Sequence, residues 1–155
     1  MNFEFTTTDF FVLKPAILLC LFGCGILPMN EPDKAVKELE RITARGIRTI
    51  TVPATMVDMP DGRSLADPAF DRLWSACEER NVPVNVHIAS GRRSDADVLR
   101  NALPGMAQAF MTAAPLANFN LLAEIIWGGL LERHPRIKFV SSEGGIGWVP
   151  YFMER

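Results

Sequence analysis

Two residues carry most of the chemistry this sequence can offer. His87 is the last residue but one of the run Val84-Asn85-Val86-His87-Ile88, so it falls at the C-terminal end of a strand-like segment. An imidazole there could ligate a metal or exchange a proton; the alternative is a core histidine bonded to backbone. Glu143 directly follows a second such run, Ile137–Ser142. Its carboxylate could ligate a metal, orient a water or serve as general base, or it could cap the helix that follows. If both runs belong to one parallel sheet, the two side chains reach the same rim. Alternation groups Asn85 with His87, and Phe139 and Ser141 with Glu143, on the interior side. A rim where polar groups converge is a place for a small-molecule site.

Other residues offer less. Arg92 and Arg93 lie in a polar stretch, 89–104, and could pair with a substrate carboxylate or be solvated loop residues. Asn85 joins them as a substrate-binding candidate because it shares the face of His87. The turn Glu143-Gly144-Gly145-Ile146-Gly147 could present amides to a phosphate. Its spacing matches neither GxGxxG nor the P-loop, and a tight turn calls for glycine anyway. His134 ends a helical stretch before Pro135, and contact with the helix C-terminus accounts for it. Cys20 and Cys24 have apolar neighbours and read as buried, inert thiols.

These residues need a scaffold, and the rest of the chain describes one. Strand-like runs at 22–27, 47–52, 83–88 and 137–142 each precede a helical pattern. In the first helix Asn30 is the expected cap, Ala35, Val36, Leu39 and Ile42 the buried stripe, and Arg45-Gly46 the stop. In the second, Asp67-Pro68 is the start, and Phe70, Leu73, Trp74 and Cys77 face inward. A Met-rich helix is expected over 105–114. A longer one is expected over 118–133, apolar on most sides and well buried. Helical crossovers require parallel strands. The expected fold is therefore α/β, with about four βα units. It is either a small doubly wound sheet or part of a (β/α)8 TIM barrel. Asn85 and His87 favour the barrel, because its strands can carry polar groups inside, near the mouth.

Composition sets the outer limits. The 155 residues suit one domain, 22–155, behind an irregular or helical leader at 1–21. At 48% hydrophobic a core is affordable, and a net charge of -2 argues against nucleic-acid binding. Three cysteines without a CxxC pair read as reduced thiols in a cytoplasmic protein. The apolar run at 16–27 is shorter than the roughly 20 residues a spanning helix needs, so no membrane association is expected.

Four segments in this order resemble the amidohydrolase-related family of metal-dependent (β/α)8 barrels. They are Gly25-Ile26-Leu27-Pro28-Met29 with the helix at 33–45; Leu65-Ala66-Asp67-Pro68-Ala69-Phe70-Asp71-Arg72-Leu73-Trp74; Val82-Pro83-Val84-Asn85-Val86-His87; and Leu130–Val140 with Glu143–Pro150. The branch is the one containing aminocarboxymuconate-semialdehyde and γ-resorcylate decarboxylases. The resemblance implies a small-molecule substrate, carboxylated or aromatic, and a divalent metal, commonly zinc, at the C-terminal mouth. In that family an HxH-type pair on the first strand, a middle-strand histidine and a last-strand aspartate hold the metal. His87 matches the middle-strand histidine, and Glu143 stands where a further histidine usually follows. There is no HxH in the chain, and the leader does not resemble the family's first strand. The expectation is an internal fragment of a longer hydrolase or decarboxylase, weakly active or inactive, with an incomplete zinc site. Two other readings stay open: a non-catalytic piece completed by a partner, including a second copy, and an α/β phosphate- or nucleotide-binding module.

Overall fold

The computed structural model describes residues 23–53, 62–87 and 104–155. The leader at 1–21, Cys20, Ile88, Arg92 and Arg93 lie outside the described residues.

Strand β1 (Cys24–Ile26) leads to helix α1 (Pro32–Ala44) and strand β2 (Thr49–Pro53). A 3-10 turn at Pro68–Phe70 opens into α2 (Asp71–Glu79), followed by β3 (Val84–His87). Then come α3 (Met106–Ala113), α4 (Pro115–Trp127), the single turn α5 (Leu130–Arg133), β4 (Phe139–Ser142) and α6 (Val149–Met153). The strands pair in chain order, β1-β2-β3-β4, and every pair is parallel. A doubly wound sheet reverses its strand order at a switch point. Unbroken sequential order is that of a barrel wall.

Register divides the sheet into two unlike faces. Ile50 pairs with Val84, Val52 with Val86, and Val84 with Phe139. These side chains meet the helices and, with Leu39, Phe70, Leu73, Trp74, Leu121, Ile125 and Leu130, form the core. The Trp74 ring packs on Phe70 and Phe139 and donates its indole N–H to the Leu65 carbonyl at 3.0 Å. The opposite face presents Cys24, Ile26, Thr49, Thr51, Asn85, His87, Val140 and Ser142. It is open among the described residues, with Ile26 78% exposed.

Several local expectations need correction. Helix α1 is capped at Glu31 without a side-chain bond, so Asn30 is not its cap. Ala35, Leu39 and Ile42 do form its buried stripe. Asp67 works as expected and accepts from the Ala69 amide at 2.8 Å. The long helix expected over 118–133 is two helices. It starts earlier, at Pro115, and breaks at Gly128-Gly129, where Gly129 adopts a φ of 74°. A side chain at Gly128 would strike Ala66 and the Glu124 carbonyl, so the backbone passes there in contact with the neighbouring loop. Nor is α4 well buried: Asn118, Leu121 and Ile125 are inside, while Leu116 and Trp127 are exposed. By length and composition the stretch Met106–Trp127 could also cross a membrane, at a mean hydropathy of 1.3. Its inward Leu121 and Ile125 are part of the protein core. Cys24 is exposed on the open sheet face, contrary to the expectation of a buried thiol. Cys77 is the buried one, and desolvation pushes its thiol up to about 12, against a smaller opposing pull from Arg80.

Candidate active site

The structure brings His87 and Glu143 together. The imidazole Nε2 lies 3.6 Å from Glu143 Oε2, with the two side chains 46% and 68% exposed. His87 comes from the C-terminal end of β3 and Glu143 from the residue after β4, neighbouring strands of one parallel sheet.

The route by which Glu143 arrives differs from the alternation expected. His87 pairs with Ser142 and Val86 with Ser141, so Val140 and Ser142 share the face of His87. Phe139 and Ser141 point to the helices instead, where Phe139 meets Trp74 and Ser141 meets Asn118. Continued as a strand, the chain would have sent Glu143 the same way. It does not continue, because Glu143 takes a φ of 56°. A non-glycine residue at positive φ is uncommon, costs about 1–3 kcal/mol, and tends to occur at functional positions. Gly145, also at positive φ, completes the turn, and the Trp148 indole donates to the Gly144 carbonyl at 2.8 Å.

Below the rim a polar row crosses the open face. Ser142 Oγ donates to Asn85 Oδ1 at 3.1 Å, and Asn85 Nδ2 donates to Thr49 Oγ1 at 3.2 Å. Cys24 Sγ stands 3.7 Å from the same amide. Both ends of the Asn85 amide are thus engaged between strands, beneath His87.

One neighbour could not be singled out by its surroundings in the sequence. Asn118 is a polar residue within the apolar α4, fully buried behind the rim. Its Nδ2 donates toward Val86 O at 3.2 Å, Ser142 O at 3.1 Å and Ser141 Oγ at 3.1 Å. The wider reason for Gly144 follows from this: a Cβ there would meet Ser141 Oγ and lie 2.7 Å from Asn118 Nδ2. Packing therefore accounts for this glycine.

His134 also has a different explanation from the one expected. Its ring is buried, with Nε2 3.2 Å from Asp71 Oδ1 and Nδ1 3.7 Å from Glu78 Oε2. Arg133 Nε donates to the same Asp71 carboxylate at 3.1 Å. Burial raises the Asp71 pKa, but the hydrogen bonds from Arg133 and His134 outweigh it, and the net direction is down. His134 belongs to a helix-fastening cluster away from the rim.

The pair at the rim is suited to part of a metal site. Two ligands on one tetrahedral ion, each at roughly 2.0–2.2 Å, stand about 3.4 Å apart. The 3.6 Å between His87 and Glu143 is close to that. A catalytic zinc normally takes about three protein ligands. Among the described residues no group of three or more His, Cys, Asp or Glu could hold an ion. The donors among the described residues fit two corners of such a site.

Known proteins share this fold. The chain is 25% identical over 134 residues to 2-amino-3-carboxymuconate-6-semialdehyde decarboxylase of Dictyostelium discoideum, matching 86% of this chain and 34% of that protein. The chain thus spans about a third of the curated relative. Its structure is similar to an amidohydrolase from Mycobacterium avium subsp. paratuberculosis, with a TM-score of 0.69 and 29% identity, covering 85% of this chain and 34% of the other. It is also similar to 2,6-dihydroxybenzoate decarboxylase from Rhizobium, with a TM-score of 0.59 and 25% identity, covering 86% and 42%. The sheet is a parallel α/β wall of the kind these enzymes close into a TIM barrel. The amidohydrolase profile matches residues 19–155, and the chain belongs to the amidohydrolase family.

Proposed function

We propose that this chain contributes His87 and Glu143 to the active site of a metal-dependent hydrolase or carboxy-lyase acting on a small carboxylated or aromatic substrate. The observation that carries the reading is the His87–Glu143 pair, 3.6 Å apart on adjacent strand ends of an amidohydrolase-type sheet. His87 serves as a ligand of a divalent ion, zinc by its nitrogen and oxygen donors. Glu143 serves as a second ligand or as the acid/base. Arg92 and Arg93 follow β3 in the chain and take the substrate carboxylate by bidentate pairing. The protein works in the cytoplasm, away from nucleic acid and membrane. With two donors in place among the described residues, the chain binds zinc weakly and turns over little or nothing by itself.

Calorimetric zinc titration of the wild type, His87→Ala and Glu143→Gln tests this. Weak binding lost in both variants is expected. Tight binding that survives His87→Ala would move the site elsewhere. A parallel assay follows loss of 2,6-dihydroxybenzoate, the compound named for one structural neighbour. Robust metal-dependent turnover would overturn the expected inactivity.

A second reading rests on the open sheet face and the unpaired outer edges of β1 and β4 among the described residues. Such edges invite pairing with another chain. A homo-oligomer would cover them, and sedimentation velocity over a range of concentrations distinguishes it from a monomer.

A further inference from the structure

We infer that Asn118 is a positioning residue that sets the His87–Glu143 pair. Its amide nitrogen reaches the carbonyl of Val86, which precedes His87, and the carbonyl of Ser142, which precedes Glu143. One side chain therefore ties together the last peptide units of two neighbouring strands, immediately behind the two residues that meet at the rim.

The orientation of the amide is dictated. Carbonyl oxygens only accept, so the Nδ2 end must face Val86 and Ser142. Oδ1 is then turned away, and it is buried with no hydrogen-bond partner among the described residues. An apolar residue of similar size would avoid that orphaned oxygen and would suit the rest of α4 better. Asparagine's two N–H groups supply what such a residue lacks, a bridge between the strand ends. Gly144 supports the same arrangement from the other side, since a Cβ there would displace the amide nitrogen. Both features act at the point where Glu143 leaves the sheet at a φ of 56°.

The inference concerns the pair taken as the active site above, but its test reads the pair alone, without metal. The chain has two histidines, and His134 is only 4% exposed, so diethyl pyrocarbonate reports chiefly on His87. Glu143 Oε2, 3.6 Å from Nε2, stands in the path of an electrophile approaching that nitrogen. Carbethoxylation of His87 is followed by peptide mass spectrometry in EDTA, at a temperature where circular dichroism shows each variant folded. Glu143→Ala is expected to speed the reaction at least threefold. Asn118→Ala should match it, and the double variant should react no faster than Glu143→Ala. Gly144→Ala, which retains Asn118 but crowds it, should also react faster than wild type. Leu121→Ala removes a buried neighbour on the same helix face and should keep the wild-type rate, although it loses thermal stability. A wild-type rate in Asn118→Ala would overturn the inference, as would acceleration by Leu121→Ala equal to that of Asn118→Ala. A wild-type rate in Glu143→Ala would instead overturn the pairing of His87 with Glu143 and, with it, any role for Asn118 in setting it.

Discussion

Replacing His134 by alanine separates two accounts of why this histidine sits where it does. If it only complements the C-terminus of α5, its loss costs about 0.3–1 kcal/mol, the usual worth of a cation at a helix end. The structure places it instead between two carboxylates of α2, 3.2 Å from Asp71 and 3.7 Å from Glu78, with its side chain 5% exposed. A hydrogen bond to a charged group contributes about 1.5–3 kcal/mol, and an emptied ring site adds to the loss. Glu78 is partly protected, because the Arg136 amide still donates to it at 2.6 Å. Asp71 likewise retains Arg133. The expected cost of His134→Ala is therefore about 2–4 kcal/mol. In a domain of this size that is a fall in Tm of roughly 5–10 °C. Urea unfolding of wild type, His134→Ala, Asp71→Ala and the double variant completes a cycle. A coupling of about 1 kcal/mol or more is expected for groups in direct contact. A loss below about 1 kcal/mol with no coupling would refute the clamp and restore the helix-end account.

The same cluster predicts a pH dependence. Asp71 has its folded pKa lowered from 3.8, since the bonds from Arg133 and His134 outweigh the effect of burial. Its contribution is thus fully present above pH 3.8 and fades as the pH falls through the lower folded value. The stability gap between wild type and Asp71→Asn should be open at neutral pH and narrow in acid; a gap independent of pH would contradict this. Cys77, with its thiol pushed up to about 12 by burial, should resist Ellman's reagent in the native protein at pH 8 and react on unfolding, whereas exposed Cys24 reacts without unfolding. Trp74→Phe removes the indole bond to Leu65 and volume from the fully buried centre, and should cost about 2–4 kcal/mol by urea unfolding.

The elements were legible because their patterns are local. Ala35, Leu39 and Ile42 mark one face of α1, and β-branched Ile50, Val52, Val84 and Val86 mark strands whose helix-facing side is fully apolar. Asp67 announces its turn through its own side chain. The break at Gly128-Gly129 was written in the sequence too, but the apolar residues on both sides outweighed it in the periodicity. Asn30 shows the limit of local reasoning in the opposite direction: a good capping residue does not cap when the helix begins one position later.

What was not legible depends on contacts distant in sequence. Asn118 has no distinguishing neighbour along the chain, and its partners Val86 and Ser142 lie 32 and 24 residues away. His134 meets Asp71 across 63 residues, so nothing adjacent to it could reveal the carboxylates it touches. Glu143 differs from both: alternation groups it with Phe139 and Ser141, yet its carboxylate meets His87. Strand alternation is a rule about residues within a strand, and it fails one residue past the end. Continued, it would have sent the carboxylate toward the helices with Ser141. The positive φ at Glu143 reverses that direction and delivers the side chain to His87. The backbone strain at that residue and the buried amide behind it are therefore parts of one arrangement, in which a strained turn points the carboxylate and Asn118 holds the two strand ends that the turn must bridge.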